Sequence, residues 1–432
     1  VWPVWFYWRR FIGARWCWKD IRIIMSDDKQ IESWLMEQGL SAGAYAGSGM
    51  LEAFRVEMEA GLAGASSSLA MLPTYLSPLA AGVEGTVAFV DAGGTNLRTG
   101  LAVVDAGGQV TLEQVVKRAM PGRGAEVSAA DFYESICAGL LPVADRFDRI
   151  GFCFSYPAEI LPNRDGRLLR WTKEIQIPEM VGSCVGADLV AALEQRGAGR
   201  KSVTVLNDTT ATLLGGCSAG RAFGAEEFVG FILGTGTNCA CLHGGQIFNM
   251  ESGNFAGWSF SAVDDRLDAL QVNRGQYRFE KAVSGAYLGP LTLVAMQEAA
   301  QEGLFSAAGA AVIEGWHELD TVSLSMRLAG EAVPAWELAE KDERVMLRIF
   351  EGLVERAALF SAVNMGAAMV LDRTAGAAPI CVNANGSTFH RTPGLAAQTE
   401  VFMRELLEPF GREFRVVRVA DAPALGAAMA AF

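Results

Sequence analysis

Two short segments of this chain place glycine, threonine and asparagine in the same order. Residues 91–98 read Asp91-Ala92-Gly93-Gly94-Thr95-Asn96-Leu97-Arg98, and residues 234–238 read Gly234-Thr235-Gly236-Thr237-Asn238. Each lies between two apolar runs of β-strand character. A glycine-rich turn between strands lets the main chain approach a bulky anion and present several N–H groups at once. Threonine adds a hydroxyl donor. One such turn is often only a hairpin; two matching ones point to a pair of phosphate cradles. Asp91, an acid at the end of an apolar strand, suits a magnesium ion held through water. A third turn, Asn385-Gly386-Ser387-Thr388, follows Ile380-Cys381-Val382. None of these is a Walker A motif or a Rossmann fingerprint.

A second set of residues suits a ring of hydroxyl groups. Ser155 follows the apolar run 151–154, and Thr172 and Lys173 follow Trp171. Asn207 and Asp208 end another apolar run, Asn238 ends the second glycine turn, and Glu251 and Glu280 sit in short polar segments. Taken singly each reads as structural, and Asn-Asp after a strand is a common helix cap. Together their amides, hydroxyls and carboxylates can bind a sugar selectively, because a missing hydroxyl leaves a buried partner unpaired.

The elements that must position these residues alternate between strand and helix, which argues for α/β architecture. Strands are expected at 86–91, 100–104, 203–206, 228–233, 239–242 and 380–382. Helices are expected over 26–62, 185–196, 290–302 and 343–371. A length of 432 residues favours two domains. The division expected is N-terminal helices over 25–81 packing on a large domain, a small α/β domain over 82–205 joined by a C-terminal helix at about 418–432, and the large α/β domain over 206–417. No repeat of solenoid length occurs.

Composition narrows the function classes. The net charge is −13 and no basic run follows residue 25, so a nucleic-acid partner is not expected. Eight cysteines include no C-x-x-C and read as reduced, buried thiols. Cys239, Cys241 and His243 alternate along one strand, a poor arrangement for zinc, whose ligands usually pair across a turn. Residues 1–24 hold five of the ten tryptophans. That stretch has the wrong order of charge for a signal peptide and is too short to span a bilayer. It reads as an extension upstream of a start at Met25, with a peripheral membrane anchor as the alternative. A cytoplasmic protein without a membrane span is expected.

In this order the motifs resemble the hexokinase family, of the kind typical of eukaryotes, from about Met50 onward. Met71-Leu72-Pro73-Thr74-Tyr75 is similar to the segment before the family's first phosphate motif, and 91–98 resembles that motif. Phe154-Ser155-Tyr156-Pro157 with Trp171-Thr172-Lys173 resembles the sugar signature. Asn207-Asp208-Thr209 resembles the catalytic segment, and 234–238 the second phosphate motif. Asn249-Met250-Glu251 and the run 279–289 resemble the later sugar motifs. The resemblance implies a two-lobed actin-like ATPase (ribonuclease H-like) fold whose small and large domains flank a cleft. It implies ATP- and Mg2+-dependent phosphorylation of a hexose, D-glucose foremost, at the 6-hydroxyl, the first step of glycolysis.

By the same resemblance, Asp208 is the general base, and a carboxylate there accepts the proton as attack proceeds. Lys173 offsets charge on the phosphoryl group. Ser155, Thr172, Lys173, Asn207, Asp208, Asn238, Glu251 and Glu280 hold the sugar. Asp91 holds magnesium through water. Gly93, Gly94, Thr95, Asn96 and Arg98, with Gly234, Thr235, Gly236, Thr237, Gly386 and Ser387, form the nucleotide and phosphate site. The partners implied are hexose and ATP, in a monomer or homodimer with one catalytic unit.

The chain departs from the family pattern in places. Asn385 stands where Asp is common, Glu174-Ile175 replaces Gly-Phe, Ile160 replaces Gln and Pro290 replaces Glu. The run Asp421 to Ala428 lacks the usual Gly/Ser/Lys character. These changes bear on nucleotide preference and sugar range more than on catalysis. A sugar sensor without useful turnover is the alternative function. A zinc-containing bacterial sugar kinase is disfavoured by the lack of a cysteine-rich motif.

Overall fold

The computed structural model describes residues 18–78, 83–106, 109–334, 336–372 and 378–432, with side chains from Asp28 onward. The tryptophan-rich residues 1–17, and with them most of the expected upstream extension, lie outside the described residues. In chain order the strands are β1 Leu72–Pro73, β2 Gly85–Ala92, β3 Asn96–Val104, β4 Val110–Ala119, β5 Arg149–Phe154, β6 Ala158–Ile160 and β7 Gly166–Leu168. They continue as β8 Ser202–Leu206, β9 Glu227–Leu233, β10 Thr237–His243, β11 Gln246–Asn249, β12 Ile380–Asn385 and β13 Phe414–Val417.

The strands form two main sheets. One runs β4-β3-β2-β5-β8 and the other β1-β11-β10-β9-β12-β13, with β6 and β7 as a separate hairpin. Each main sheet has an antiparallel hairpin, β2/β3 or β9/β10, whose first strand also pairs in parallel with a later strand, β5 or β12. Each glycine turn joins the two strands of one of these equivalent hairpins. Both sheets therefore present their turn at the same end of an equivalent strand pair.

Alternation along β2 shows how the first sheet is filled on both faces. Ala88, Val90 and Ala92 point into one core, with Phe132 and Ile136 of the helix Ala129–Leu140 and Leu189 and Leu193 of the helix Val185–Gln195. Val87 and Phe89 point the other way, onto Ala424, Ala427 and Ala428 of the helix Ala422–Ala430. A period of two buried on both faces is what a covered sheet requires. The helix Asp208–Arg221 shares this second core through Ala211, Leu214 and Cys217, and it reaches the other sheet through Phe228 and Cys381. It is the element common to both sheets, and Asp208 is its first residue.

The larger core surrounds the helix Glu340–Val370, from Val345 to Val370. This helix is long and apolar enough to cross a membrane by length and composition, but 89% of its apolar window is buried inside the protein. The region expected as one helix over 26–62 is two, Trp18–Glu37 and Met50–Leu62, broken by a 3-10 turn at Ala42–Tyr45. Ile31, Trp34, Phe54 and Met58 of these helices enter the larger core. The break is fixed by a buried ion pair. Arg356 donates twice to Asp264, at 2.8 Å each, and once to the carbonyl of Gly39 at 2.9 Å. Tyr45 donates to the same carbonyl at 3.1 Å.

Contact between the helices Asp208–Arg221 and Ala422–Ala430 depends on Gly426, where an added Cβ would lie 1.8 Å from the carbonyl oxygen of Ala211. Gly426→Ala must push the two helices apart, and overpacking of this kind costs about 1–3 kcal/mol. Urea denaturation should show that loss. An unchanged midpoint would mean that the helix pair is loosely seated.

Candidate active site

Asp208 starts its helix because Asn207 caps it: the Asn207 side-chain oxygen accepts from the Thr209 N–H at 2.8 Å. Asparagine is a favoured cap, and an acid in the first turn complements the helix dipole. The Thr209 hydroxyl donates to Asp208 Oδ1 at 3.3 Å. The expected sugar-site residue Asn207 thus spends its carbonyl on the backbone that aims Asp208.

The charge of Asp208 is felt by Asp91 on the first sheet and by Glu251 beyond the second. Burial pushes the Asp91 carboxyl above its ordinary range, Arg98 opposes this, and Asp208 adds to it. Arg98 donates to Asp91 Oδ2 through Nε at 2.9 Å and Nη2 at 2.7 Å, and through Nη1 to Asp421 at 2.5 Å. Arg98 was expected among the phosphate ligands; its guanidinium lies between these two carboxylates instead.

Glu251 follows β11 with φ at +55°. Asn249 Nδ2 donates to its Oε1 at 2.7 Å, and Asn238 Nδ2 donates to Asn249 Oδ1 at 2.8 Å. The Asn238 oxygen accepts from the Ser252 N–H at 3.1 Å. Asn238 and Glu251 are therefore tied into one amide–carboxylate chain, with Asn249 as a link not foreseen as a site residue. Glu280 lies on the helix Arg278–Val283 and accepts from the Thr237 N–H at 2.9 Å. Burial raises both glutamates; amide hydrogen bonds oppose the shift, and Asp208 beside Glu251 and Glu251 beside Glu280 reinforce it.

Lys173 sits below the first glycine turn. Its Nζ donates to the Ser155 carbonyl at 2.8 Å and lies 5.4 Å from the Tyr156 ring centre. An added Cβ on Gly94 would come within 2.8 Å of the Lys173 side chain. The turn is braced further by the Tyr156 hydroxyl, which donates to the Gly93 carbonyl at 2.7 Å. Arg123 donates to the Thr95 hydroxyl at 3.0 Å, bringing a cation to this turn from an isolated position with no sequence signal. Thr172 precedes Lys173, whose φ is +58°, and Glu174 follows at +63°.

The second turn packs against the third. Gly386, at φ +113°, passes so near β9 that a Cβ there would meet the Leu233 carbonyl at 2.1 Å. The Thr388 hydroxyl and the Gly285 N–H both donate to the Gly234 carbonyl at 2.9 Å, and the Ala286 N–H donates to the Thr235 carbonyl at 3.1 Å. Thr237 is turned inward, its hydroxyl donating to the Ile232 carbonyl at 3.0 Å, so it offers no outward hydroxyl as expected of a phosphate ligand. Asn385 belongs to β12 and Ser387 begins a short helix, so the third turn is narrower than its sequence suggests.

These parts fit a magnesium nucleotide. A Cβ on Gly93 would have no neighbour nearer than 3.5 Å and one on Gly234 none nearer than 3.8 Å, whereas Gly94 and Gly236 pack closely on Lys173 and Glu280, so each turn has one glycine with room beside it. Asn385 Nδ2 is a buried donor without a partner. It lines a cavity of about 410 Å³ with Arg98, Arg418, Asp421 and Pro423. An orphaned amide donor and the Arg418 guanidinium suit an anionic ligand, and the Asp91 carboxylate is the hard oxygen donor that magnesium prefers.

Two tests follow. Glu174 holds a left-handed conformation that costs an L-residue about 1–2 kcal/mol, partly offset by the greater unfolded freedom of glycine. Glu174→Gly should therefore stabilise the protein by about 0.5–1 kcal/mol in urea titration; destabilisation would mean the side chain contributes more than its strain. Glu251 binds its proton more tightly when folded than its ordinary 4.5 allows. Its contribution to stability is full below 4.5 and is lost as pH rises through the raised value. In thermal denaturation without ligand, Glu251→Gln should raise Tm relative to the parent at pH 7 and lose that advantage near pH 4. Equal differences at both pH values would count against a buried, ionised Glu251.

Comparison with known proteins bears on the whole arrangement. Two family profiles, each described as hexokinase, match residues 45–218 and 228–432. Hexokinase-9 of Oryza sativa subsp. japonica is 32% identical over 287 residues, 58% of this chain and 55% of that protein. Hexokinase-1 of Spinacia oleracea is 32% identical over 282 residues, 58% of this chain and 56% of that protein. The chain thus spans about half the length of these relatives. Among solved structures, a hexokinase superposes with a TM-score of 0.76 at 23% identity, covering 94% of this chain and 99% of the other. The hexokinase from Schistosoma mansoni complexed with glucose gives 0.73 at 22%, with the same coverage. The fold is the two-lobed actin-like ATPase fold. With both glycine turns, the Asn207-Asp208 helix start and the Glu251 and Glu280 segments inside the two matched regions, the chain belongs to the hexokinase family.

Proposed function

We propose that this chain transfers the terminal phosphoryl group of ATP to the 6-hydroxyl of a hexose, with glucose as the first candidate. The observation that carries this reading is the capped helix start that places Asp208 within electrostatic reach of both Asp91 and Glu251, which come from two other segments. Asp208 stands between the metal-suited acid and the sugar-suited chain. A hydroxyl held by Glu251, Asn238, Glu280 and Thr172 is presented to the Asp208 carboxylate, which takes its proton as the oxygen attacks. Ser155 and the amide of Asn207 complete the sugar contacts.

Magnesium-ATP, when bound, supplies the phosphoryl group and a cation that neutralises its charge. The backbone around Gly93 to Thr95 and Gly234 to Thr235 would cradle the phosphates, with Gly386 and Ser387 closing the cradle. Asp91 would hold the metal's water ligands, and Lys173 and Arg123 would add positive charge near the first turn. Arg98 has the separate task of holding Asp91 in place. The cavity beside Asn385 and Arg418 would take the rest of the nucleotide. Phosphoryl transfer needs mainly positioning and charge stabilisation, which these residues supply.

The described cysteines are free, and all but Cys184 are buried. That suits the reducing cytoplasm, where we place the protein. A sensor without turnover has no observation in its favour, since Asp208 and both turns are in place.

A coupled assay for hexose 6-phosphate, with ATP, magnesium and a panel of hexoses, tests this. Asp208→Ala should lower kcat by about 10²–10⁴-fold, the range for a general base, while hexose binding by calorimetry persists. No product from the folded parent across the panel, or near-normal turnover by the variant, would remove this assignment.

A further inference from the structure

A hydrogen bond joins the two halves of the sugar site from outside. Arg170 Nη2 donates to the Tyr277 hydroxyl at 2.6 Å, across 107 residues of sequence. Arg170 lies in the segment between β7 and Trp171-Thr172-Lys173. Tyr277 is the N-cap residue of the helix that carries Glu280. Each partner is therefore within three residues of groups assigned to the sugar, one on each side.

Both partners are held rigidly although the bond itself is exposed. On the Arg170 side, Trp171 Nε1 donates to the Ile177 carbonyl at 2.6 Å, and its ring meets Tyr156 at 4.7 Å and Phe154 at 5.7 Å. The Leu169 N–H donates to the Pro157 carbonyl at 2.9 Å. On the other side, Asp268 accepts from the Gly275 N–H at 2.9 Å and from Lys281 Nζ at 2.6 Å. Lys281, with 2% exposure, also donates to the Asn273 carbonyl at 2.9 Å, closing the loop before Tyr277. Tyr277 itself takes a left-handed conformation, φ +53°. Such a conformation persists only where its surroundings fix it. A buried ion pair and a strained residue thus aim one hydroxyl at one guanidinium.

We propose that the Arg170–Tyr277 bond is a clasp that holds the two lobes together over the bound hexose. This rests on the hexose reading of the site. Arg170 and Tyr277 are positioning residues: they favour the closed arrangement in which Thr172 and Lys173 face Glu251 and Glu280, and they touch no reacting atom. Weakening the clasp shifts the lobes toward an open state, so the apparent affinity for hexose falls in proportion to the closed population. The bond also keeps the positive charge of Arg170 near Glu251, whose ionised form it favours.

The test uses the full chain with Tyr277→Phe, Arg170→Met and Arg170→Lys. Tyr277→Phe removes only the acceptor oxygen. It should raise the hexose KM roughly threefold to tenfold, the scale of one hydrogen bond to a charged group at a partly exposed site, with kcat within about twofold. Arg170→Met should match it, and Arg170→Lys, which retains a donor, should recover part of the loss. Tm without sugar should be unchanged in all three. Small-angle X-ray scattering of the sugar-free chain should show a larger radius of gyration for Tyr277→Phe than for the parent. Unchanged KM, or superposable scattering curves, overturns the clasp. Failure of the parent to turn over any hexose would instead fall on the functional reading, and the scattering comparison would then decide the clasp alone.

Discussion

Carboxylates crowd the centre of this protein, and their dehydration and mutual repulsion set the terms for everything around them. Asp91, Glu251 and Glu280 are each driven toward the protonated form by burial, and Asp208 lies within electrostatic reach of the first two. Such a group is tolerated only where hydrogen bonds or counter-charges compensate it. The compensation differs at each. Asp91 has a guanidinium, Glu251 a chain of amides, and Glu280 a backbone N–H from the second glycine turn. The amides hold Glu251 without adding a competing cation, leaving its acceptor character for a ligand's hydroxyl groups. The guanidinium at Asp91 fixes a carboxylate that has to stay put beside a divalent ion.

The two glycine turns belong to the same solution. Each lies at the head of an antiparallel hairpin whose first strand also pairs in parallel with a later strand. The repetition is visible in the sequence because the turn chemistry is local: glycine and threonine are needed wherever the main chain approaches an anion. The helix starting at Asp208 is legible for the same reason, since strand, cap and acid are consecutive. Glu251 and Glu280 were recognisable only in company, as each sits in a short irregular segment.

What could not be read was set by contacts between distant residues. Arg123 reaches Thr95 from an isolated position, and the guanidinium of Arg98 is claimed by Asp91 and Asp421, 323 residues from Arg98 at the far partner. Thr237 looks like a phosphate donor in the motif, yet the strand turns its hydroxyl back to Ile232. The break in the first helical region is decided by Arg356 and Asp264, far along the chain, while apolar spacing runs on through it. Strands β1, β4, β6, β7, β11 and β13 were also missed, being short, at sheet margins or partly exposed, and so was β5, a buried central strand whose continuous apolar run shows no alternation. Glu174 was visible as a departure from glycine, but its left-handed backbone explains why glycine suits that place.

The helix Ala422–Ala430 has a consequence for how the chain acquires its shape. The sheet it covers is complete in sequence by Leu206, but the core holding Val87 and Phe89 is not closed until Ala424, Ala427 and Ala428 join the earlier helix Asp208–Arg221. During synthesis, at about 5–20 residues per second, the ribosome must add roughly two hundred further residues first. Through that interval the nascent sheet carries an apolar face only partly covered, a situation that invites chaperone binding and that favours slow, late consolidation of this lobe. The larger core, whose long helix and its neighbours emerge before the closing segment, is free to consolidate earlier. The same wedge that brings Asp208 to its working place therefore makes the final assembly of the site one of the last events in the life of the newly made chain.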